Sequence, residues 1–189
     1  MQHIRIKPTR ADRVIADTIA AHTKPPVEAA TRLVTYGADE KVLLAAAGCV
    51  RLNSLGKPRL RPLATHFFAV SLASAILPHL LKRKIDQTRP DRLTVRGHWR
   101  GMPLSGKSDD AFPSGHALHM GALFSAAGLL PKQDRAPLRG LSVALSLTRI
   151  LLLAHWASDV MAEFALGGIL ERLLRLLTLQ ARNGRQGSP

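Results

Sequence analysis

Two long stretches without a formal charge most constrain how this chain can fold. One runs for 20 residues between Arg61 and Lys82, and the other runs for 21 residues between Asp110 and Lys132. A helix needs about 20 residues, at about 1.5 Å each, to cross the hydrocarbon core of a bilayer. Because 189 residues offer little surface helix to hide such stretches, both are predicted to span a membrane. The core of a compact soluble helical protein is the alternative.

Three further stretches are apolar but shorter or more charged. Residues 140–158 carry one charge, Arg149, residues 160–179 are apolar mainly toward their middle, and residues 42–50 would need their flanks to span. Together the five stretches predict an all-α helical bundle, polytopic and integral to the membrane, with about five spans. The single cysteine, Cys49, excludes an intramolecular disulfide framework and a multi-cysteine metal site.

The chain is strongly basic, with 27 Lys and Arg against 13 Asp and Glu and a formal charge of +14. Such a balance suits a surface of anionic lipid head groups. It would also suit nucleic acid, but the chain has no recognisable nucleic-acid motif, and only 4% of its residues are aromatic. We therefore expect a membrane partner and no nucleic acid, and the sequence leaves the oligomeric state open.

A first polar cluster follows the first uncharged stretch. Lys82 and Arg89 are seven positions apart, which is almost two helical turns, so both cations can face a shared anion. Pro90 disfavours helix at Arg89 and places that arginine where a helix gives way to a loop. The alternative is a basic cluster that holds a span at the lipid head groups.

A second cluster opens the second uncharged stretch with the sequence Phe-Pro-Ser-Gly-His, residues 112–116. Ser114 is a natural N-cap, and Gly115 allows close approach of the backbone to a ligand. The free N–H groups and the positive end of the helix would then form an anion site beside His116. A capped helix start with an incidental histidine is the alternative.

A third cluster contains Arg149, His155 and Asp159. On a helix, the i,i+4 spacing of His155 and Asp159 lets the carboxylate accept the Nδ1 proton and leaves Nε2 free to attack. Arg149 and His155 are six residues apart and would point to different faces of one helix, so we expect a helix break near residues 153–156. A buried ion pair between Arg149 and Asp159 is the alternative, but it leaves His155 unexplained.

If the helices alternate in direction, the three clusters return to one side of the bundle. That side would hold three cations, a helix N-terminus and two histidines: Lys82, Arg89, Ser114, His116, Arg149, His155 and Asp159. The cations and the helix N-terminus can bind the equatorial oxygens of a phosphoryl group, with one histidine on each side of phosphorus. The combination predicts a phosphoryl-transfer site.

Lys-x6-Arg-Pro, Pro-Ser-Gly-His and Arg-x5-His-x3-Asp, in this order, resemble the three signature motifs of the type 2 phosphatidic acid phosphatase family, which includes bacterial acid phosphatases and vanadium haloperoxidases. The similarity covers roughly residues 63–177. One departure is Thr148, where the family usually has serine before the arginine, although threonine keeps the hydroxyl. The resemblance implies an all-α bundle, no metal or other cofactor, sensitivity to vanadate and a phosphohistidine intermediate.

The same resemblance implies a role for each matching residue. His155 would be the nucleophile, Asp159 would orient it, and His116 would be the general acid. The implied phosphate ligands are Lys82, Arg89, Ser114, Gly115 and Arg149.

The apolar stretches favour the membrane branch of this family over its soluble branch. We therefore expect a metal-independent phosphatase that hydrolyses a lipid phosphomonoester or pyrophosphate, such as phosphatidate, phosphatidylglycerophosphate, a polyprenyl phosphate or diphosphate, or lipid A. The alternatives are a phosphotransferase or a soluble-type acid phosphatase with the same site, or a non-catalytic membrane protein with an anion pocket. A phosphotransferase would pass the phosphoryl group to an alcohol rather than to water.

We expect one domain in the bacterial inner membrane. Residues 1–37 would form an amphipathic segment of two short helices separated by Lys24-Pro25-Pro26, residues 38–178 the bundle with the catalytic site, and residues 179–189 a flexible tail. No signal peptide is recognisable, so insertion would rely on the internal spans. The family suggests an active site on the outer face. The positive-inside rule does not decide, because 13 basic residues on the catalytic side oppose 11 on the other once Lys82 and Arg89 are assigned to chemistry.

Overall fold

The computed structural model describes residues 4–81, 85–90 and 112–179. These ranges contain seven α-helices: α1 (Arg10–His22), α2 (Pro25–Thr35), α3 (Glu40–Asn53), α4 (Arg61–Leu81), α5 (Gly115–Ala126), α6 (Lys132–Leu151) and α7 (Ala157–Thr178). They also contain two strands of two residues each, β1 (Ile4–Arg5) and β2 (Ile85–Asp86), which pair in parallel. The all-α bundle predicted from the sequence is confirmed.

Helix α5 lies inside the bundle and packs against α4, α6 and α7. Against α7 the two backbones touch, because a Cβ atom on Gly121 would overlap the carbonyl oxygen of Phe164, and one on Gly167 would overlap that of Leu118. Glycine is required at such a close approach. Because residue 121 lies near residues 164 and 168, and residue 125 lies near residues 168 and 171, α5 and α7 run parallel and begin at the same end of the bundle.

The second uncharged stretch forms a helix shorter than the predicted span of about 20 residues, and its crossing of a membrane stays a prediction. Helix α5 has 12 residues, and a 3-10 turn at Ala127–Leu129 adds one turn. At about 1.5 Å per residue, 12 residues reach only about 18 Å. The stretch is uncharged because its small residues are packed inside the bundle, which a hydropathy pattern cannot distinguish from contact with lipid.

Among the described residues, only α4 is both long and apolar enough to cross a bilayer by its length and composition. The predicted stretch 140–158 divides between the second half of α6 and the turn that follows it, and residues 42–50 lie within α3, which has 14 residues. Helix α7 covers most of the stretch 160–179. The count of five spans therefore stays a prediction.

Helix α4 carries two histidines that would be costly in lipid, and the structure places both against a protein partner. His66 is fully buried and bonds through Nε2 to Glu171 (3.0 Å) and through Nδ1 to Thr178 (2.7 Å). His79 is exposed and meets Glu40 at 3.2 Å. Because the beginning of α4 contacts the end of α7, the two helices are antiparallel, and Leu81 lies toward the beginning of α7.

The first residues of the chain pack against this same end. Two N-terminal helices are present, but they are separated at Thr23 and Lys24, and Pro25 and Pro26 begin α2 rather than lying between the helices as predicted. The inner face of α1 places Ala16 against Leu153 and Trp156, while the apolar side chains of Val14 and Leu33 are exposed. Exposed apolar residues are compatible with the predicted position on a membrane surface, which stays a prediction.

The predicted division of the chain is not tested by the fold. The boundary between residues 37 and 38 falls within the 3-10 turn Tyr36–Ala38, and residues 180–189 lie outside the described part of the chain.

Candidate active site

The directions of the helices bring the described parts of the three motifs to one end of the bundle. Helix α6 runs antiparallel to α5, because Leu145 packs against Met120 and Arg139 lies over the ring of Phe124. The end of α6 therefore lies beside the beginning of α5. Since α5 and α7 begin together and α4 ends there, this end contains Arg89, Ser114, His116, Arg149, His155 and Asp159. Lys82 lies outside the described residues.

The beginning of α5 is capped as predicted. The Ser114 side chain is fully buried, and its Oγ accepts a hydrogen bond from the amide of Ala117 at 3.4 Å. His116 lies in the first turn and is partly buried. A Cβ atom on Gly115 would lie 3.5 Å from both Glu40 Oε2 and Pro78 Cγ, which is ordinary contact. Space around Gly115 therefore does not require glycine as far as the described residues are concerned.

Arg149 is buried in the last turn of α6 and is oriented by a chain of hydroxyl groups. Its Nη1 donates to Thr35 Oγ1 at 3.3 Å, and Thr35 Oγ1 lies 2.9 Å from Thr148 Oγ1. Thr148 donates to the carbonyl of Leu145 at 2.6 Å, so it accepts from Thr35. Thr148, where the family usually has serine, thus keeps a hydroxyl group. That hydroxyl accepts a hydrogen bond from Thr35, which in turn accepts one from Arg149.

A second buried cation lies near the first. Arg89 is 4% exposed, Arg149 is 3% exposed, and the two guanidinium groups are close enough for their like charges to interact. Placing two cations together away from water is unfavourable unless an anion accompanies them. Asp39 supplies one carboxylate that interacts with Arg149. Two guanidinium groups in this position are suited to binding a phosphate, and that role stays a prediction.

The predicted break between Arg149 and His155 is confirmed. Helix α6 ends at Leu151 and α7 begins at Ala157, and between them Leu153 adopts a left-handed backbone with φ of 53°. A buried leucine in this conformation is uncommon and costs energy, which the surrounding packing must offset. The amides of Ala154 and His155 donate to the carbonyl of Arg149 at 3.1 and 3.3 Å, which closes the turn.

One detail of the third motif differs from the prediction. His155 lies before the beginning of α7 rather than on it, so the i,i+4 geometry of a continuous helix does not apply to His155 and Asp159. The chain must turn at this point because α6 and α7 are separate helices that both reach this end of the bundle. His155 is nevertheless buried, and Asp159 lies in the first turn of the helix that follows it.

Residues that the motifs do not mark hold this turn in place. Asp159 accepts hydrogen bonds from the Trp156 amide (3.3 Å) and from Gln87 Nε2 (3.2 Å). The Trp156 indole donates to the carbonyl of Thr88 at 2.9 Å. The segment that carries Arg89 is therefore attached directly to the beginning of α7. Gln87 lies inside the spacing of the first motif, but a lone glutamine gives no pattern by which it could be recognised.

A further missed residue is Asp12 on α1. Its side chain is 2% exposed and accepts from the Ser158 amide (2.9 Å) and hydroxyl (2.7 Å) on α7. It also accepts from the Thr9 amide and hydroxyl, which closes a capping box at the beginning of α1. Burial alone would raise the pKa of Asp12, but the hydrogen bonds from Ser158 and Thr9 together hold that pKa below its ordinary value.

Among the described residues, no group of three His, Cys, Asp or Glu side chains is arranged to hold a metal ion.

The fold and this site define the class of the protein: an all-α bundle with buried cations and a capped helix beginning at one end. The family model of the PAP2 superfamily matches residues 63–182, more than half of the chain. The chain belongs to the PAP2 superfamily, as its three motifs indicated.

Two curated relatives are similar in sequence. The lipid A 1-phosphatase of Rhizobium etli is 36% identical over 107 residues, which are 56% of this chain and 46% of the relative. The lipid A 1-phosphatase of Rhizobium johnstonii is 37% identical over 106 residues, which are 56% of this chain and 43% of the relative. The matched region is therefore less than half the length of either relative.

Two solved structures share the fold. A transmembrane PAP2 type phosphatidylglycerolphosphate phosphatase from Bacillus subtilis superposes with a TM-score of 0.68 and 20% identity, over 88% of this chain and 84% of the other. Aquifex aeolicus LpxE superposes with a TM-score of 0.67 and 17% identity, over 90% of this chain and 98% of the other.

Proposed function

We propose that this protein is a metal-independent membrane lipid phosphatase. The observation that carries the proposal is the buried pair Arg89 and Arg149, which lies at the end of the bundle that also holds the capped beginning of α5 and His155. Two desolvated cations and a helix N-terminus match the charge of a phosphate monoester. Membership of the PAP2 superfamily supports hydrolysis as the reaction.

In the proposed mechanism the phosphoryl group passes through a covalent intermediate on His155. Nε2 of His155 attacks phosphorus, and the bond to the lipid oxygen breaks while that oxygen takes a proton from His116. Water then attacks the phosphohistidine and gives its proton to His116, which releases inorganic phosphate and restores both histidines. Asp159, itself held by Gln87 and the Trp156 amide, would keep His155 in the attacking tautomer.

The charge that develops on the equatorial oxygens would be stabilised by the cations and the backbone of α5. We assign Arg89, Arg149 and Lys82 to this role, with Ser114 and Gly115 supplying polar groups from the helix beginning. The hydroxyl chain from Thr148 through Thr35 fixes the direction of Arg149. Such preorganised donors stabilise a transition state without moving during the reaction.

The substrate we propose to test first is the 1-phosphate of lipid A, because the two curated relatives carry that activity in their names. Its phosphate is a monoester at the surface of a membrane, where the exposed apolar faces of this bundle would also lie. We place the protein in the bacterial inner membrane with the active site on the outer face.

The test is phosphate release by protein purified in detergent, using lipid A, phosphatidate, phosphatidylglycerophosphate and a polyprenyl diphosphate in excess EDTA. We expect release from lipid A, inhibition by vanadate, and no release by a His155→Ala variant. The matched control is His22→Ala, since His22 is exposed and bonds only to its own helix among the described residues.

Three results would contradict the proposal. A requirement for added Mg²⁺ would exclude the metal-independent mechanism. Binding of vanadate without release of phosphate from any lipid would indicate an anion-binding protein without activity. Transfer of phosphate to an added alcohol in place of water would identify a phosphotransferase.

A further inference from the structure

A cavity of about 390 Å³ opens at the end of the bundle away from the candidate active site. It lies against α5, between α6 and the last turns of α7. Three arginines line it: Arg139 on α6, and Arg172 and Arg175 on α7. Apolar side chains line it nearer the middle of the helices: Phe124, Phe164 and Ile169. The cavity is therefore cationic toward the end of the bundle and apolar toward its middle.

Two of the three arginines of this cavity have no acidic partner among the described residues. Arg175 is paired with Glu171, through Nε at 2.9 Å and Nη2 at 2.8 Å, and Glu171 also accepts hydrogen bonds from Ser125 and His66. Neither Arg139 nor Arg172 has an ion-pair partner among the described residues, and no acidic side chain is among the described residues that line the cavity. An excess of about two positive charges remains.

Arg139 links the cationic and the apolar parts. Its guanidinium lies 5.2 Å from the centre of the Phe124 ring, and its Nη2 lies near the backbone of Gly128. An arginine can cover an aromatic ring in this way while it keeps its donors available to an anion. Ile169 is 55% exposed on the same side of α7, so the apolar wall is open to the surroundings of the bundle.

We propose that this cavity binds an anionic phospholipid from the leaflet opposite the active site. The lipid phosphate would contact Arg139 and Arg172, and an acyl chain would lie along Phe164 and Ile169. Because the cavity is at the other end of the helices from His155, this lipid is bound and not hydrolysed. The site is therefore separate from the proposed phosphatase activity, and it would hold α6 and α7 together where they leave α5 partly uncovered.

The test compares the purified, delipidated protein with an Arg139→Ala/Arg172→Ala variant, using native mass spectrometry and thermal unfolding in mixed micelles. The added lipid is phosphatidylglycerol, a phosphodiester that a monoesterase cannot hydrolyse, with phosphatidylcholine as the neutral comparison. The matched control is Arg59→Ala/Lys132→Ala, which removes two exposed cations from the same end but outside the cavity.

We expect saturable phosphatidylglycerol binding that stabilises the wild type and the control, and at least about tenfold weaker binding by the cavity variant, because two charge-assisted contacts are lost. An equal loss of phosphatidylglycerol binding in the control variant would overturn the proposal, since a general attraction of the anionic lipid to the basic end of the bundle would then explain the binding. Equal stabilisation by inorganic phosphate would overturn it as well, because a free anion would then suffice. Phosphate release is measured separately, so failure of the proposed phosphatase activity would not be confused with failure of this site.

Discussion

Thr35 shows how a residue outside every motif can decide the position of a motif residue. Its hydroxyl accepts from Arg149 and donates to Thr148, and all three side chains are buried. Replacement of Thr35 by valine keeps the shape but removes the bond to a charged group, which contributes about 1.5–3 kcal/mol. We expect Thr35→Val to lower kcat/KM about 10- to 100-fold.

The control for this change is Thr31→Val on the same helix, because the Thr31 hydroxyl bonds only to the Val27 carbonyl among the described residues. Steady-state kinetics on one lipid phosphate would compare the two variants, and the control should stay close to wild type. Similar losses in both would show that α2 is sensitive to any valine and that the hydroxyl chain to Arg149 has no special role.

The two histidines of the site should differ in how their loss depends on the leaving group. His155→Ala should abolish hydrolysis of every substrate, because the nucleophile is needed in each turnover. His116→Ala should reduce turnover of an alkyl phosphate by about 10²–10⁴-fold, the usual contribution of a positioned general acid. An aryl phosphate with an acidic phenol needs little protonation, so the same variant should keep much of its activity on that substrate.

Parallel assays of both variants on an alkyl and an aryl phosphate measure this difference. If His116→Ala loses the same factor on both substrates, the histidine mainly binds phosphate. Wild-type turnover by His155→Ala would remove the covalent intermediate from the mechanism.

At the residue scale, those features of the site that depend on the spacing of neighbouring residues could be predicted from the sequence. The cap at Ser114 and the break between Arg149 and His155 follow from helix geometry, and both are found. Gln87 and Thr35 could not be predicted, because each acts through a partner far away in the chain, 72 and 114 residues distant. Such pairings depend on how whole helices pack, and no short pattern contains them.

At the scale of elements, α1 is attached through one carboxylate to the beginning of α7, next to the turn that carries His155. Asp12 accepts two bonds from Ser158 in the first turn of α7, directly after the turn that carries His155. We expect Asp12→Ala to lower the free energy of unfolding by about 2 kcal/mol, since a cap and buried bonds to a charged group are lost. Activity should fall as well, because the beginning of α7 then has more freedom.

Thermal unfolding in detergent and kinetics on one lipid phosphate test this change, with Asp17→Ala as the control. Asp17 is exposed on the same helix, so its replacement should change neither quantity appreciably. Full activity of a destabilised Asp12→Ala variant would limit Asp12 to a structural role.

The Asp12 carboxylate also predicts a pH dependence of stability. Because its pKa is lowered in the folded protein, its bonds contribute stability fully above its ordinary pKa of 3.8 and lose that contribution as the pH falls through the lower, folded value. Asp12→Asn should therefore reduce the loss of stability below about pH 4. Unfolding curves of wild type and variant at pH 3 to 7 would measure it, and parallel curves throughout would contradict the assignment.

The elements were predictable to different degrees. The long helix of the first uncharged stretch was found where hydropathy placed it, whereas the second stretch gave the short internal α5. Both stretches are uncharged in sequence, and it is the burial of α5 against α4, α6 and α7 that separates it from a helix that faces lipid. Packing between helices decides this difference, and hydropathy does not measure it.

At the scale of the whole molecule, the N-terminal residues and the active site lie on the same side. Strand β1 pairs with β2 just before Arg89, and α1 contacts the beginning of α7. A chemical label on α1 therefore shows on which side of the membrane the candidate active site lies. With Cys49 changed to serine, we expect a cysteine at Asp17 to react with a membrane-impermeant thiol reagent in intact cells, and one at Lys132 to react only after permeabilisation.

This labelling tests two properties separately: whether the bundle crosses the membrane, and which of its ends faces outward. Reaction of Lys132→Cys alone in intact cells would keep a membrane-crossing bundle but place the active site on the inner face. Reaction of both from the same side would contradict a bundle that crosses the membrane.

The glycine contact between α5 and α7 bears on how such a molecule could be redesigned. Because main chain touches main chain at Gly121 and Gly167, any side chain at these positions would push apart the two helices whose beginnings flank the candidate active site. A designer seeking a new substrate would therefore leave these two positions fixed and diversify the connections outside them. The positions of the two helices would then stay fixed, while the connecting segments that decide substrate selectivity could be varied.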